Sequence, residues 1–518
     1  MKEIDWIKEA VHICIAKDVS EVDAARRFES LKQQYEQFDT EEKHQILTIL
    51  KEQFDSKDSL YLYSVFLHYM ENERFARALA ETACTCSFDV VTGSMVEFHM
   101  HRYYKNHREL YHVLRAFHHK NVEKFSALLK LQLTYRPPSG RHKKRIVIIT
   151  EQILKLRHAP TRVVCNFAYT LKKMGYDLLL FACPSDGPLS EDIWYAAKHM
   201  NSDPSFRNMP LQIQYRGQLL EGYQINMHPA NFKEYHMMFR LIYEWNPMFV
   251  LNLGTINPVA DVASRFTTLA ACEMNIACPV SEGEILVRYE HSEAWLEECY
   301  AAALEKNQSQ LFMEDDFPVL PDDTAVPCSR SSIGLAKGRF LVAVIGNRLD
   351  EEVDTAFASV MAALLQQIPN LDFVIIGMIR TAKALLKEYL DEWWNSRIHF
   401  LGYRKDLAEI LPALDLYLNP DRSGGGFSSA MALVSGIPVV TLPHCDVANI
   451  VGDSFTVTDY QEMTEIVCRY ATDNEFYRQQ ASLARKYKDQ NTDARMSEYA
   501  EKLVSGILRT IHAQETGQ

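Results

Sequence analysis

The sequence predicts an all-α segment followed by two α/β domains, each built on a parallel sheet. Residues 1–135 carry apolar side chains at three- and four-residue spacing and contain one glycine, Gly93. Short β-branched runs then alternate with amphipathic segments near 145–254 and 340–442. A connector rich in Asp, Pro and Ser, residues 305–335, separates these two stretches. We therefore expect three domains, 1–138, 139–335 and 336–518.

Charge and composition exclude several classes of protein. The 518 residues include 55 Lys and Arg against 68 Asp and Glu, a formal net charge of −13. A dedicated nucleic-acid binder is excluded because neutralising phosphates needs a basic surface. Asp5, Lys8 and Glu9 stand where a signal peptide needs an apolar core, and the apolar runs are too short to span a bilayer. We expect a cytoplasmic protein without a transmembrane segment; peripheral membrane contact stays open.

The helical segment allows two interpretations. Apolar residues recur at helical spacing, as in Phe28, Leu31, Tyr35 and Phe38, but no fixed repeat period is visible. The segment is either a packing module or a docking surface for a macromolecular acceptor.

The first α/β domain begins with the strand Arg145–Thr150. The basic run 141–145 follows the breaker cluster 137–140, and we interpret it as a solvated junction rather than a nucleic-acid patch. A helix starting at Thr161 and a strand at Tyr176–Ala182 complete a βαβ pattern. A further strand is expected at 246–254.

The second α/β domain has the clearer pattern. Apolar runs predict strands at 341–345, 371–377, 398–401, 416–419 and 438–442. Helices are expected between them, at 351–367, 381–393, 406–412 and 428–435. Sheets of this kind bind ligands at the carboxyl ends of their strands, so we expect the functional residues there.

A glycine-rich loop at 424–426 opens one of these helices, with Ser428 and Ser429 in its first turn. Glycine lets the backbone approach a ligand closely, and the N–H groups of a helix start favour an anion. The pattern suits a diphosphate, and a side chain at Gly425 would then occupy the diphosphate's space. A helix cap with a tight turn is the alternative.

Residues 416–441 resemble the donor-binding segment of GT-B glycosyltransferases, especially family 4-like enzymes. The run Ser435-Gly436-Ile437-Pro438-Val439-Val440 is similar to the end of that segment, and 399–403 and 344–349 resemble passages upstream of it. The resemblance implies two Rossmann-like domains of the GT-B type. It also implies a nucleotide-sugar co-substrate, expected to be a UDP-sugar, with no cofactor and no metal. A helical segment ahead of such a pair is similar to cytoplasmic protein glycosyltransferases of the O-GlcNAc transferase-like and bacterial N-glycosyltransferase groups.

The resemblance also implies roles for particular residues. Gly425, Gly426, Ser428 and Ser429 would hold the diphosphate, while Gly402 and Tyr403 would lie beside the base. Positive charge for the phosphates would come from Arg348 and Lys383, and His444 and Asp446 would contact the donor sugar. For Arg348 the alternative is a salt bridge with one of Asp350, Glu351 or Glu352.

Three departures from the family pattern stand out. Family 4 carries two Glu residues around this loop, and their places fall near Ser423 and Met431. Methionine cannot accept ribose hydrogen bonds as a carboxylate does. Either the donor is held differently, or Asp421 or Asp446 substitutes, or activity is lost. The expected Lys of the phosphate pair is replaced by the acidic run 350–352.

The catalytic base is open between two histidines, His158 and His228, each of which also has a structural interpretation. Glu282 and Glu284 could act as an acid–base pair, but a solvated turn is the favoured interpretation there. The function we expect is transfer of a hexose from a nucleotide-sugar to an acceptor, a protein side chain among others. The alternatives are a capsule or lipid-linked glycan transferase and an inactive homologue that scaffolds a partner.

Overall fold

The structure is a computed structural model and falls into two compact units. One unit contains Met1–Glu314 together with Ala500–Gln518, and the other contains Asp315–Tyr499. The residues that the structure describes are 2–15, 21–104, 107–151, 153, 154, 156, 158–183, 210–225, 232–254, 256–272, 274, 279–289, 297, 301, 308–314, 318, 320, 325–422, 424–443 and 445–516.

Seven helices account for the described part of residues 2–129. They are α1 (Lys2–Ile15), α2 (Glu21–Gln37), α3 (Thr40–Gln53), α4 (Ser56–Met70), α5 (Glu73–Thr85), α6 (Val90–Tyr104) and α7 (Arg108–Leu129). Polar caps set where several of them begin. Asp39 accepts the N–H of Glu42 at the start of α3, and Asn72 accepts the N–H of Arg74 at the start of α5.

The first unit also holds an eight-stranded sheet. Its strands are β1 (His142–Thr150), β2 (Asp177–Ala182), β3 (Pro210–Tyr215), β4 (Gln218–Gln224), β5 (Pro247–Leu253), β6 (Leu269–Cys272), β7 (Ile285–Tyr289) and β8 (Ser309–Met313). Their order is β3-β4-β2-β1-β5-β6-β7-β8, parallel except for the β3–β4 hairpin. Within the described residues of this part, three helices follow strands: α8 (Ala159–Lys173), α9 (Phe232–Trp245) and α10 (Pro258–Asp261).

One local prediction in this unit is wrong, and another holds for only part of its residues. Ser309–Met313 lies inside the expected connector 305–335 but adds to the sheet, because it pairs in parallel with Ile285–Tyr289. The basic run at 141–145 is only partly solvated: Arg141 is buried and donates to the carbonyl of Met248 and the hydroxyl of Thr268. Arg141 thus donates hydrogen bonds to buried acceptors beside the first residues of β1.

The helical segment and the first sheet share one hydrophobic core. Trp6 and Phe66 of the helices belong to the same buried cluster as Ile256, Ala271 and Leu286 of the α/β part. The helices therefore cover apolar surface that the sheet cannot bury alone. The domain boundary at 138 stays a prediction, since both parts fall into one compact unit.

A buried histidine joins the same two parts. His118 of α7 lies 2.6 Å from Glu97 through Nδ1 and 2.6 Å from Asp261 of α10 through Nε2. Burial disfavours the charged imidazolium, but the two carboxylates outweigh burial and raise the pKa of His118 to about 10. The side chain is therefore a cation at neutral pH.

The second unit contains a five-stranded parallel sheet. Its strands are β9 (Phe340–Gly346), β10 (Leu371–Gly377), β11 (Ile398–Gly402), β12 (Leu416–Leu418) and β13 (Val439–Val440), in the order β11-β10-β9-β12-β13. Its helices are α11 (Leu349–Glu352), α12 (Thr355–Gln367), α13 (Ala382–Leu390), α14 (Leu407–Ile410), α15 (Gly426–Val434), α16 (Asp446–Val451), α17 (Tyr460–Thr472) and α18 (Asn474–Gln490).

The helix predicted at 351–367 is interrupted, because Asp354 caps α12 by accepting the N–H of Phe357. The last helix, α19 (Asp493–Thr516), begins in the second unit and ends in the first. Of the helices in the described ranges, none has the length and apolar character to cross a membrane.

Replacement of His118 by Gln tests the buried histidine. Removing the cation between two buried carboxylates should lower the free energy of unfolding of the first unit by about 3–5 kcal/mol at pH 7. The folded pKa of His118 is about 10 and the unfolded pKa about 6.5. Its stabilisation is therefore complete below pH 6.5 and is lost as pH rises through 10. Urea unfolding at pH 7 and pH 10 measures both effects.

The matched control for this variant is His119→Gln, since His119 is half-exposed and pairs with Glu282 at the surface. We expect it to change stability by less than about 1 kcal/mol. Equal losses in the two variants, or an unchanged alkaline slope in His118→Gln, would contradict the assignment.

Candidate functional site

Three neighbouring strands of the second sheet end in glycine. Gly346, Gly377 and Gly402 are the last residues of β9, β10 and β11. Gly377 has φ +131°, and a Cβ there would overlap the carbonyl oxygen of Gly346. Because all strands are parallel, these ends lie along one edge of the sheet, with backbone rather than side chains as its floor.

The loop after β12 meets the same edge and opens α15. Gly424 and Gly425 have φ +93° and +89°, which other residues rarely adopt. The hydroxyl of Ser428 donates to the carbonyl of Gly425 at 2.8 Å, and that of Ser429 donates to the carbonyl of Gly426 at 2.7 Å. The serines therefore brace the loop from within. The helix start still presents N–H groups without intrahelical partners.

A buried arginine lies directly beneath this loop. The side chain of Arg422 is 4% exposed. It donates through Nη1 to Glu352 at 2.7 Å, through Nε to Asn419 at 2.8 Å, and through Nη2 to the hydroxyl of Tyr417. Burial disfavours its charge, but Tyr417 and Glu352 outweigh burial and place the pKa of Arg422 above its usual range. The loop thus rests on a fixed positive charge.

Glu352 is shared by two arginines. Its Oε2 accepts from Arg422, while its Oε1 lies 3.3 Å from Nη2 of Arg348. The ion pair named as the alternative for Arg348 is thus present, with Glu352 as the partner. The Arg348 side chain remains 51% exposed, so it is the accessible member of the pair. Its role toward phosphate stays a prediction.

The same short helix, α11, holds a second loop of the edge. Asp350 accepts the backbone N–H groups of Arg380 and Ala382 at 2.7 and 2.9 Å, where α13 begins. Partial burial raises the pKa of Asp350, but these hydrogen bonds outweigh burial and hold the pKa below its usual value. The acidic run that stands where the family has a Lys therefore ties together the loops after β10 and β12.

The remaining predicted donor residues of β11 and α13 lie nearby. Gly402 has φ +64°, with open space where a Cβ would stand, and Tyr403 next to it is exposed. Nζ of Lys383 lies 4.4 Å from the ring centre of Phe400. Lys383 thus has an aromatic contact of its own, and its phosphate role stays a prediction.

Several predicted positions give little structural information. His228, His444 and Ser423 lie outside the described residues. Asp446 begins α16, and its side chain is not described. Met431, which stands at the second Glu position of the family, is partly buried on α15 and packs against the hydrophobic core.

His158 is the one predicted base that the structure describes. It precedes α8, and its Nδ1 lies 3.0 Å from the hydroxyl of Thr161. That hydroxyl also accepts the N–H of Leu154 at 2.9 Å. Burial lowers the pKa of His158 to about 4. At pH 7 it is therefore a neutral hydrogen-bond donor and a weak base.

The solvated-turn interpretation of Glu282 and Glu284 is wrong for Glu284. Its Oε2 accepts the N–H of Leu269 at 2.8 Å, and burial raises its pKa to about 7. It links two strands of the first sheet. Glu282 instead pairs with His119 at 2.9 Å near the surface, so the two carboxylates do not act as a pair.

One carboxylate of the first sheet was not among the predicted site residues. Glu151 directly follows β1 and accepts the N–H of Ile256 at 2.9 Å. Gly254 follows β5, and a Cβ there would lie 2.7 Å from Oε1 of Glu151. Strand order reverses between β1 and β5, the place where open sheets bind ligands. The sequence feature that could have identified Glu151 is its position directly after the first predicted strand.

Residues 339–473 match the family model described as "Glycosyl transferases group 1". The match is confined to this segment. The segment contains the three strand-terminal glycines, Arg348, the acidic helix α11 and the loop over Arg422. In the described part of the chain, no group of three or more His, Cys, Asp or Glu side chains could hold a metal ion.

A curated relative matches within a short segment. The lipopolysaccharide glucosyltransferase WaaG of Escherichia coli (strain K12) is 26% identical over 121 residues, which cover 22% of this chain and 32% of WaaG. The match thus spans about a third of that relative's length.

Solved structures extend the likeness beyond the group 1 domain. A mutant O-GlcNAc transferase of Thermobaculum terrenum aligns over 100% of both chains, with TM-score 0.54 and 14% identity. HepE from Anabaena, in complex with UDP and glucose, aligns over 71% of this chain and 99% of HepE with TM-score 0.48 and 15% identity. The predicted fold class, an all-α segment before two Rossmann-like α/β parts of the GT-B type, is confirmed.

Gly425→Ala tests the loop over Arg422. A Cβ at Gly425 would lie 2.5 Å from Nη2 of Arg422. The expectation that it would fill diphosphate space is therefore wrong, because it points at the buried arginine. We expect a loss of about 1–3 kcal/mol in unfolding free energy of the second unit, from strain at positive φ and the displaced guanidinium. Thermal unfolding measures this loss.

Gly334→Ala is the matched control, because Gly334 has φ +76° but open space where its Cβ would stand. It carries the conformational strain without the clash and should cost about 1 kcal/mol. Equal losses at both positions would show that Arg422 does not constrain the loop.

Proposed function

We propose that the chain transfers a hexose from a nucleotide-sugar to an acceptor. The observation that carries the proposal is the glycine loop and helix start at the sheet edge, placed over the buried cation Arg422 inside a group 1 glycosyltransferase domain. N–H groups, a helix start and a guanidinium all favour a doubly charged anion. The diphosphate of a nucleotide-sugar is such an anion.

In this proposal the two arginines have different tasks. Arg422 has acceptors in Glu352, Asn419 and Tyr417 and acts through its charge beneath the loop. Arg348 is half-exposed and reaches the diphosphate directly, forming bonds that a planar guanidinium suits. Both stabilise the negative charge that develops on the diphosphate as the sugar bond breaks. Gly402 and Tyr403 then face the base.

The names of the relatives suggest which donors to test first. WaaG is a glucosyltransferase, and the Thermobaculum protein is an O-GlcNAc transferase. UDP-glucose and UDP-N-acetylglucosamine are therefore the first donors. The same two proteins represent the two acceptor classes under consideration, a glycan and a protein side chain. The all-α segment and the full-length alignment favour the protein acceptor.

For the proton acceptor, we propose that His158 is not the general base. Its pKa of about 4 makes His158 a weak base that is neutral at pH 7, and a neutral imidazole keeps one N–H donor. His158 then orients a substrate oxygen. Glu151, at the strand-order reversal of the first sheet, is the described carboxylate placed to accept a proton there. His228 stays a candidate outside the described residues.

One observation favours a second candidate function, an inactive homologue that scaffolds a partner enzyme. Met431 stands where the family has a ribose-binding Glu, and it packs into the core instead. Nucleotide-sugar binding separates the two functions, because a scaffold that has lost the ribose contact has no need to bind a donor.

Calorimetric titration of the full chain with UDP, UDP-glucose, UDP-N-acetylglucosamine, GDP-mannose and TDP-glucose tests the proposal. We expect one UDP-sugar to bind and to be hydrolysed slowly without acceptor. In Arg348→Ala, loss of a charge-assisted bond worth about 1.5–3 kcal/mol should weaken UDP binding at least about ten-fold. Arg478→Ala, an exposed arginine of α18, is the control and should bind as the wild type does.

If no nucleotide-sugar binds, the inactive scaffold is the correct function. If donors bind but Arg348→Ala binds them equally well, the diphosphate site lies elsewhere in the domain. Mass spectrometry of candidate acceptors incubated with the bound donor then distinguishes protein from glycan targets.

A further inference from the structure

The loop after β10 is fastened to the elements that follow β9. The N–H of Met378 donates to the carbonyl of Gly346 at 3.1 Å, directly beyond the glycine that ends β10. Two residues farther on, the N–H of Arg380 donates to the carboxylate of Asp350 in α11 at 2.7 Å. Arg348 immediately precedes α11. The backbone of Arg380 is therefore held beside the helix that follows Arg348.

The side chain of Arg380 is exposed at this edge. In the parts of the chain that the structure describes, no carboxylate forms an ion pair with its guanidinium. Arg348 differs, since it shares Glu352 with the buried Arg422. The guanidinium of Arg380 can therefore bind an incoming anion without first breaking an ion pair, and its planar fork suits paired oxygens.

The charges around the glycine loop leave an anion site short of positive charge. Its arginines are Arg348 and Arg422. Helix α11 adds three carboxylates, which are Asp350, Glu351 and Glu352. The carboxylates outnumber the guanidiniums, so the group is net negative and repels a diphosphate. A diphosphate site at this edge therefore needs at least one further cation.

Arg380 and Lys383 are both exposed after β10, and the sheet order separates them. Nζ of Lys383 lies 4.4 Å from the ring centre of Phe400 in β11. In the order β11-β10-β9-β12-β13, β11 lies on the side of β10 away from the glycine loop, which follows β12. Arg380 is instead hydrogen-bonded to Asp350, on the β9 side. Of the two cations, Arg380 is the one on the side of the glycine loop.

We propose that Arg380 supplies the further cation and binds the donor diphosphate together with Arg348. This inference rests on the proposed function. The cations at the edge then equal the carboxylates of α11, and the N–H groups of the glycine loop attract the anion in addition. The position of Asp350 fits this role, because its carboxylate lowers the local charge but also holds the backbone of the residue that restores it.

Titration of the full chain with UDP, inorganic pyrophosphate and uridine tests the role of Arg380. Arg380→Ala should weaken the binding of UDP at least about ten-fold, because a charge-assisted hydrogen bond is lost. Pyrophosphate carries the diphosphate alone, so its affinity should fall by a similar factor. Uridine has no phosphate and should bind the variant as it binds the wild type. Arg380→Lys keeps the charge and should restore part of the UDP affinity.

The matched control is Lys387→Ala, which removes an exposed cation of the same helix, α13, one turn beyond Lys383. It should leave UDP binding unchanged. Lys383→Ala should weaken UDP binding less than Arg380→Ala does, because its ammonium lies on the β11 side. Thermal unfolding of each variant shows that it is folded.

Equal UDP affinity in Arg380→Ala and the wild type would overturn this inference while the proposed function stands. A loss as large in Lys387→Ala would also overturn it, because it would indicate general attraction of anions to α13. Equal weakening of uridine binding would indicate a distorted domain and overturn it as well. If the wild type binds neither UDP nor pyrophosphate, the proposed function fails and this inference fails with it.

Discussion

The carboxylate of Glu352 is the constraint on which the candidate donor site depends. It accepts from Arg422 through one oxygen and lies 3.3 Å from Arg348 through the other. A guanidinium that is 4% exposed is tolerated only with an anion and acceptors beside it, here Glu352, Asn419 and Tyr417. The loop of Gly425 lies on that guanidinium, so the ion pair between Glu352 and Arg422 fixes the conformation of the glycine loop.

The rest of the sheet edge follows from this placement. A Cβ at Gly346 would meet Nη1 of Arg422 at 2.6 Å and Oε2 of Glu352 at 2.7 Å, so glycine ends β9 to make room for the pair. Asp350, two residues before Glu352, holds the start of α13 in the same way. The short acidic helix α11 thereby holds both loops in place, so the loops need no direct hydrogen bond to each other. It also places the Glu352 carboxylate 3.3 Å from the accessible Arg348.

The sequence predicted the parts of this arrangement that follow from local chemistry. Strand ends, the helix start at Gly426 and the ion-pair alternative for Arg348 can be read from spacing and residue type. Arg422 could not be placed, because an Arg in a Pro- and Gly-rich loop is expected at the surface, and only the tertiary contacts with Glu352 and Tyr417 show it buried. The strand at 309–313 was missed because it is the last strand in the sheet order and only Met313 of its five residues is fully buried, so it lacks the apolar pattern of a buried strand. The periodicity of apolar residues predicts helices and strands, but it does not show which residues contact each other across the fold.

The shared core of the first unit limits how the helical segment can be studied. Removing residues 1–135 would uncover Ile256, Ala271 and Leu286, which are buried with the helices. It would also remove His118, the cation that pairs with Asp261. A truncated chain that lost acceptor use would therefore report damage to the first sheet as much as loss of docking. Substitution of exposed residues on the helices leaves that core intact, so it is the sound route to their function.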